Sequence, residues 1–458
     1  MPGKWRYDSG WRKEFFATIS LAWPLVIAQL AGIALNSTDV IMMGWLGPTS
    51  LAAGSLANSL FFTLFLGGVG LVTATAPLIA QAIGARQNKS VRRIVRQGFW
   101  VAIFFTILVT PLVFQFGKIF KLLGQDPEVI ALAKTYLSSA VWMLFPSLGI
   151  VIFRSLLAAR KDTKILLWIT LGGVIINAIA NYGLMFGNFG LPRLEMLGAG
   201  ITTSLVNLAM FLTLLAFVIF NRRYRRYYIL VRPLKSDWPR FFQMLRIGTP
   251  ISLTIMSEVG VFGAASILMG LLGTKELAAH AVALQGASIA FMVPLGISMA
   301  TTIRVGLAHG ANNPLGVGLA GWTSMGIGTI FSVFPLLIFL LFPTYIVASF
   351  LDASNPKNFE VLALAASYLG IAGAFQLVDG AQVLMVAALR GLSDTRIPML
   401  VAIFGYWGVG LGTAYLAGFV LDLRGIGIWL GLASGLAFVS VVLTIRFAMR
   451  EKLGLVRA

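Results

Sequence analysis

Long apolar stretches, broken by short connections rich in Lys and Arg, follow one another along the chain. They fall near 16–45, 54–83, 97–117, 131–154, 165–187, 197–220, 243–272, 278–303, 317–342, 360–388, 397–420 and 425–446. A bilayer core takes about 20 apolar residues of helix, so each window predicts one membrane span. No water reaches backbone groups there, and only helices satisfy them within a single segment. Met1–Ser9 lacks the charged, apolar and cleavage regions of a signal peptide, so none is expected and the first span is read as an internal anchor.

Composition points the same way. Of 458 residues, 58% are hydrophobic and 11% charged, more apolar surface than a water-soluble domain hides. The expected fold class is an all-α polytopic membrane protein with twelve transmembrane helices. The absence of Cys removes disulfides, thiolate metal sites and cysteine nucleophiles. His280 and His309 are too far apart for a zinc site, and no HExxH occurs. An enzyme is not expected, nor a cofactor.

A formal charge of +19 points towards nucleic acid until the bases are placed along the chain. They favour the side of the N-terminus by roughly four to one, the pattern of the positive-inside rule. Both termini and Asn221–Arg246 are therefore expected in the cytoplasm, that loop at the lipid headgroups, with no nucleic-acid partner.

The two halves align at an offset of 226 residues. Pro24 falls on Pro250, Gly44 on Gly270, Leu46-Gly47 on Leu272-Gly273, Gly70 on Gly296 and Gly84 on Gly310. After an insertion of about six residues, Asp162-Thr163-Lys164 falls on Asp394-Thr395-Arg396. This predicts an N-lobe over 1–220, an inter-lobe loop over 221–242 and a C-lobe over 243–458. With six spans each, the lobes enter the membrane in the same sense and are expected to be related by a pseudo-two-fold axis along the membrane normal. Carriers built this way bind near the midplane, between the halves.

Among 16 acids, Asp39, Glu258 and Asp379 fall inside spans, and the spans are expected to hold no base to pair with them. A charge at that depth costs several kcal/mol and marks an ion or substrate path, so each acid should be protonated or bind a cation part of the time. Asn36 shares a helix face with Asp39, and Asn177 with Asn181; Thr202 and Thr203 add hydroxyls. Together they make a set of hard oxygens suited to a proton, Na⁺ or water. Ser257 accompanies Glu258, and Gln376 and Gln382 flank Asp379. Pro24 is expected to kink the first span. The Gly427, Gly431, Gly435 stripe reads as close helix packing. Met256, Phe262, Met292 and Phe375 offer adaptable walls for a substrate cavity.

Taken together, these residues resemble the MATE (multidrug and toxic compound extrusion) family, in particular its NorM-like bacterial branch. The resemblance rests on Trp23-Pro24-Leu25, Asn36-Ser-Thr-Asp39 followed by Met43-Gly44, Glu258 and Asp379, in twelve spans and two lobes. It implies an antiporter of the bacterial inner membrane, working as a monomer, that expels amphipathic organic cations in exchange for Na⁺ or H⁺ by alternating access. It implies an N-lobe cation site at Asp39, Asn177, Asn181 and Thr203, and a C-lobe acidic pair, Glu258 and Asp379, where Na⁺ could bind. Phe375 stands where some sodium-coupled relatives have a tyrosine, and Asn181 where another branch has an acid, which leaves both ions open. The alternative is a flippase for a lipid-linked precursor, whose phosphate would call for bases within the spans.

Overall fold

The computed structural model describes residues 3–229, 231, 237–350 and 358–456, with side chains from residue 10 onward. Among these, twelve helices are long and apolar enough to cross a membrane. They are α1 (Gly3–Leu46), α2 (Pro48–Gly84), α3 (Asn88–Phe114), α4 (Pro127–Ala159), α5 (Thr163–Phe186) and α6 (Glu195–Phe220). The second half supplies α7 (Trp238–Leu272), α8 (Thr274–Gly310), α9 (Pro314–Leu341), α10 (Phe359–Gly391), α11 (Arg396–Val420) and α12 (Arg424–Ala448). The all-α fold and its twelve spans are as the sequence predicts. Several helices outrun their apolar windows, carrying polar turns beyond the hydrocarbon.

The expectation that the spans hold no base is not met, and Lys134 and Arg154 fall even within the apolar window 131–154. Lys134 and Arg154 lie within α4, Arg304 within α8 and Arg390 within α10, so the helices do hold bases. Arg154 is half-buried and donates to Gln29 at 3.3 Å.

The chain divides into two compact units, Ile27–Ser252 and Met1–Val26 with Leu253–Ala458. The division falls inside α1 and α7, two residues after Pro24 and Pro250, rather than in the loop at 221–242. Each unit thus takes the leading half of the other half-chain's first helix. Both helices continue through their prolines. Residues 230 and 232–236 of the inter-lobe loop lie outside the described residues.

Repeated glycines have a common cause at these crossings. A Cβ on Gly70 of α2 would lie 2.3 Å from Ser252 Cα, and one on Gly296 of α8 would lie 2.7 Å from Val26 Cα. The two pairs are equivalent under the 226-residue offset, and each lets a backbone approach that no other side chain permits. Gly47 and Gly273, also equivalent, have φ of 127° and 147° where α2 and α8 begin, a conformation glycine adopts without steric cost.

Polar contacts secure the exchanged segments within each unit. Glu14 on α1 accepts from Arg304 on α8, Nε to Oε1 at 2.7 Å, both side chains largely buried. Asp237, just before α7, pairs with Arg93 of α3 at 2.5 Å, and Arg240 donates to Ser90 at 3.0 Å. The Arg93 guanidinium holds the Asp237 carboxyl below its usual range. The aligned aspartates also act alike. Asp162 takes Arg223 at 2.6 Å and the Tyr224 hydroxyl at 2.5 Å, just past α6, while Asp394 takes Arg446 near the end of α12 at 2.7 Å.

The Gly427, Gly431, Gly435 stripe of α12 packs on α11 as read. Added Cβ atoms would meet Ala417 C at 2.4 Å, Ala414 Cα at 2.3 Å and Gly405 O at 2.7 Å. Opposite the stripe, α11 widens into π-helix over Phe404–Leu411 and Leu416–Val420.

Candidate functional site

In the unit Ile27–Ser252, burial favours partners within the protein for the polar atoms near Asp39, although Asn177 Nδ2, Asn181 Oδ1 and the Thr202 hydroxyl are buried without one. Asp39 on α1 is 5% exposed. Asn181 on α5 donates its Nδ2 to Asp39 Oδ1 at 2.5 Å, and the Thr203 hydroxyl on α6 donates to Oδ2 at 3.2 Å. Asn177, one turn before Asn181, accepts from it at 3.4 Å. Four of the five residues assigned to this site therefore come together. Asn36 does not: it is exposed and makes none of these bonds. Thr202 is buried, but its hydroxyl takes no part.

The chemistry of this cluster follows from its donor count. Thr203 has one hydroxyl hydrogen, shared between Asp39 and the Ala199 carbonyl at 2.9 Å. Proton uptake on Asp39 lets the carboxyl O–H donate to Thr203, which then keeps its bond to Ala199. The network accepts either charge state with a small rearrangement. Sequence reading missed Tyr136 of α4, a buried ring whose hydroxyl lies against Thr203 and near Asp39. Nothing local marks it, because it meets the site only through the packing of α4 on α6.

The other unit holds the acidic pair. Asp379 on α10 is 4% exposed, and Glu258 on α7 is half-buried and close enough to repel it. Gln382 of α10 donates Nε2 to Glu258 Oε1 at 3.2 Å and accepts from the Tyr406 hydroxyl at 2.9 Å. Trp407 donates Nε1 to Ser257 Oγ at 2.9 Å. Gln376 donates to the Ala287 carbonyl at 2.9 Å, which leaves Gln376 Oε1 and Asp379 Oδ1, one turn apart, buried without a donor. Two such oxygens beside a second carboxylate form a partial shell for a hard monovalent cation. Tyr406 and Trp407 escaped sequence reading, although the glycine-rich run Phe404-Gly-Tyr-Trp-Gly-Val-Gly-Leu-Gly412 marks a segment that ordinary helix propensity does not explain.

Of the proposed cavity residues, Phe375 is buried, with Phe262 6.0 Å away edge-on and Trp429 at 5.7 Å. Met256 and Met292 are partly exposed, on α7 and α8. Pro24 is buried inside α1.

The MatE family profile matches residues 24–183 and 250–416, two segments that begin 226 residues apart like the internal repeat. A probable multidrug resistance protein NorM of Mesorhizobium japonicum is 44% identical over 97% of this chain and 95% of its own length. The protein of the same name in Rhizobium meliloti is 42% identical over 96% and 94%. Among solved structures, the eukaryotic MATE transporter AtDTX14 superposes with a TM-score of 0.86 at 22% identity, covering 98% of both chains. An outward-facing multidrug resistance MATE transporter of the MOP superfamily gives 0.87 at 21% over 97% of each. Those likenesses fix the fold, and the sequence relatives fix the family: this chain belongs to the MatE family of membrane transporters, which are not enzymes, on its NorM-like branch.

Proposed function

We propose that the chain is a secondary antiporter of the bacterial cytoplasmic membrane that exports amphipathic, mainly cationic organic compounds in exchange for Na⁺ or H⁺ by alternating access. The observation that carries this reading is the pair of acidic clusters, one in each unit, whose carboxylates have no ion-pair partner among the described residues. A buried carboxylate with no base in contact is stabilised by a proton or a cation; Arg390 of α10 acts on Glu258 only without an ion-pair contact. Drug and coupling ion can therefore displace one another. The relatives' printed names, multidrug resistance proteins, support export of varied compounds.

The clusters differ in what they offer. Both Asp39 oxygens accept from amide or hydroxyl donors, a setting for proton exchange, although Asn181 Oδ1 beside it has none. At the other cluster a carboxylate oxygen itself, Asp379 Oδ1, lacks a donor, as does Gln376 Oε1, which suits Na⁺. Na⁺ at Glu258 and Asp379 is accordingly the coupling we propose. Both termini and Asn221–Arg246 face the cytoplasm in this reading, on the bias of bases, and the working form is a monomer. The flippase alternative would draw on Arg154, a base in α4 bonded to Gln29 rather than to an acid. In proteoliposomes, ethidium export should follow an imposed Na⁺ gradient. Undiminished export in Na⁺-free buffer under a proton gradient would reject Na⁺ coupling.

A further inference from the structure

Where α6 leaves the apolar window, the chain carries Arg222, Arg223, Arg225 and Arg226 in close succession. Asp162 takes Arg223 at 2.6 Å, and Arg226 lies over the Tyr227 ring at 5.3 Å. Arg225 is exposed and lines a cavity of about 270 Å³, whose walls include Leu215, Val218 and Ile219 of α6 with Tyr224 and Tyr228 of the loop. The loop side of this cavity is held in place. Tyr224 is buried, its ring 5.8 Å from Phe217 and its hydroxyl on Asp162. Tyr228 has φ of 48°, a conformation uncommon outside glycine, and beyond it Ile229 is buried while Tyr228 itself stays exposed.

The cavity has an apolar end and a cationic end. Leu215 lies a turn and a half before the end of α6, about 7.5 Å deeper at the rise of a helix, so the aliphatic wall runs into the hydrocarbon while Arg225 stands at its edge. A phospholipid begins its chains and carries its phosphate at that depth. Clefts that take drug-sized ligands run to roughly 300–1,000 Å³, more than this one, which suits a length of acyl chain. We propose that it binds an anionic phospholipid, the phosphodiester on Arg225 and one chain against Leu215, Val218 and Ile219. A guanidinium meets phosphate oxygens through parallel N–H groups, and basic clusters beside a span draw anionic lipid. A choline headgroup would bring a further cation among the arginines, whereas a glycerol headgroup brings none. The site shares no residue with either acidic cluster, so it stands apart from the antiport reading.

Native mass spectrometry of the delipidated full-length protein, titrated in detergent with dioleoylphosphatidylglycerol, counts bound lipids and gives their affinities. The wild type should take one phosphatidylglycerol about fivefold more tightly than dioleoylphosphatidylcholine, the effect of roughly one base at the headgroup. Arg225 is exposed, so Arg225→Gln should fold as the wild type and lose that preference. Arg222→Gln, outside the cavity, should keep most of it. Ile219→Trp fills the apolar end and should weaken both lipids. Equal affinity for the two lipids, a preference kept in Arg225→Gln, or an affinity unmoved in Ile219→Trp overturns the site. A loss as large in Arg222→Gln as in Arg225→Gln overturns it too, by showing attraction spread over the whole cluster. Displacement of the bound lipid by inorganic phosphate overturns it as well, because the cavity would then hold a free anion rather than a lipid.

Discussion

Asp39 and Asp379 are both buried carboxylates, yet their neighbours set them different tasks. Asp39 accepts two hydrogen bonds, whereas Asp379 keeps one oxygen without a donor. Asp39→Asn is nearly isosteric and leaves Thr203 and Asn181 with an amide to bind. Expression and thermal stability should therefore stay near wild type while ion-driven export is lost; wild-type export would reduce Asp39 to a structural role. Tyr136→Phe removes one hydroxyl from the same cluster and should cost about 1 kcal/mol of stability, read as a lower melting temperature in detergent. The three deep acids were legible in the sequence because a charge inside an apolar window has few explanations. Their partners Tyr136 and Tyr406 were not, since an aromatic residue within a span is ordinary until tertiary packing gives its hydroxyl a neighbour.

Helices bring these groups together, and their glycines set how closely they approach. Gly70→Ala and Gly296→Ala would each put a Cβ within 3 Å of the backbone at Ser252 or Val26. Each should destabilise its unit by about 1–3 kcal/mol, visible as a lower melting temperature, whereas Gly326→Ala, where a Cβ has open space, should not. The Asp237–Arg93 contact anchors the start of α7. Because the folded carboxyl lies below its ordinary range, this contribution is complete above the unfolded value of about 3.9 and is lost as pH falls through the lower folded one. Arg93 is half-exposed, so less than about 1 kcal/mol is at stake. Asp237→Asn should lower the melting temperature slightly at neutral pH, with the difference vanishing in acid and shrinking in high salt. The spans and repeat were readable from apolar windows and collinear glycines and prolines. The π-helical turns of α11, a helix that packs on Gly427, Gly431 and Gly435, were not, because no residue pattern distinguishes a wide turn from an α-helical one.

At the scale of the whole molecule, the placement of the bases carries a prediction about topology. Most bases lie on loops of one side, so a cysteine placed at Arg225 in this Cys-free chain should resist an impermeant thiol reagent added to intact cells. Labelling from outside would reverse the orientation. The unit boundary at Val26 and Ser252 was not legible in the sequence: a linker is sought in polar loops, whereas here the chain changes units inside two apolar helices.

The antiport reading is tested most directly by ethidium accumulation in proteoliposomes, driven by an imposed Na⁺ gradient with pH equal on both sides. The wild type should accumulate the dye while the gradient lasts. Asp379→Asn should bind ethidium in detergent yet fail to accumulate it. Accumulation by Asp379→Asn at the wild-type rate, or by the wild type with no ion gradient, would contradict the account.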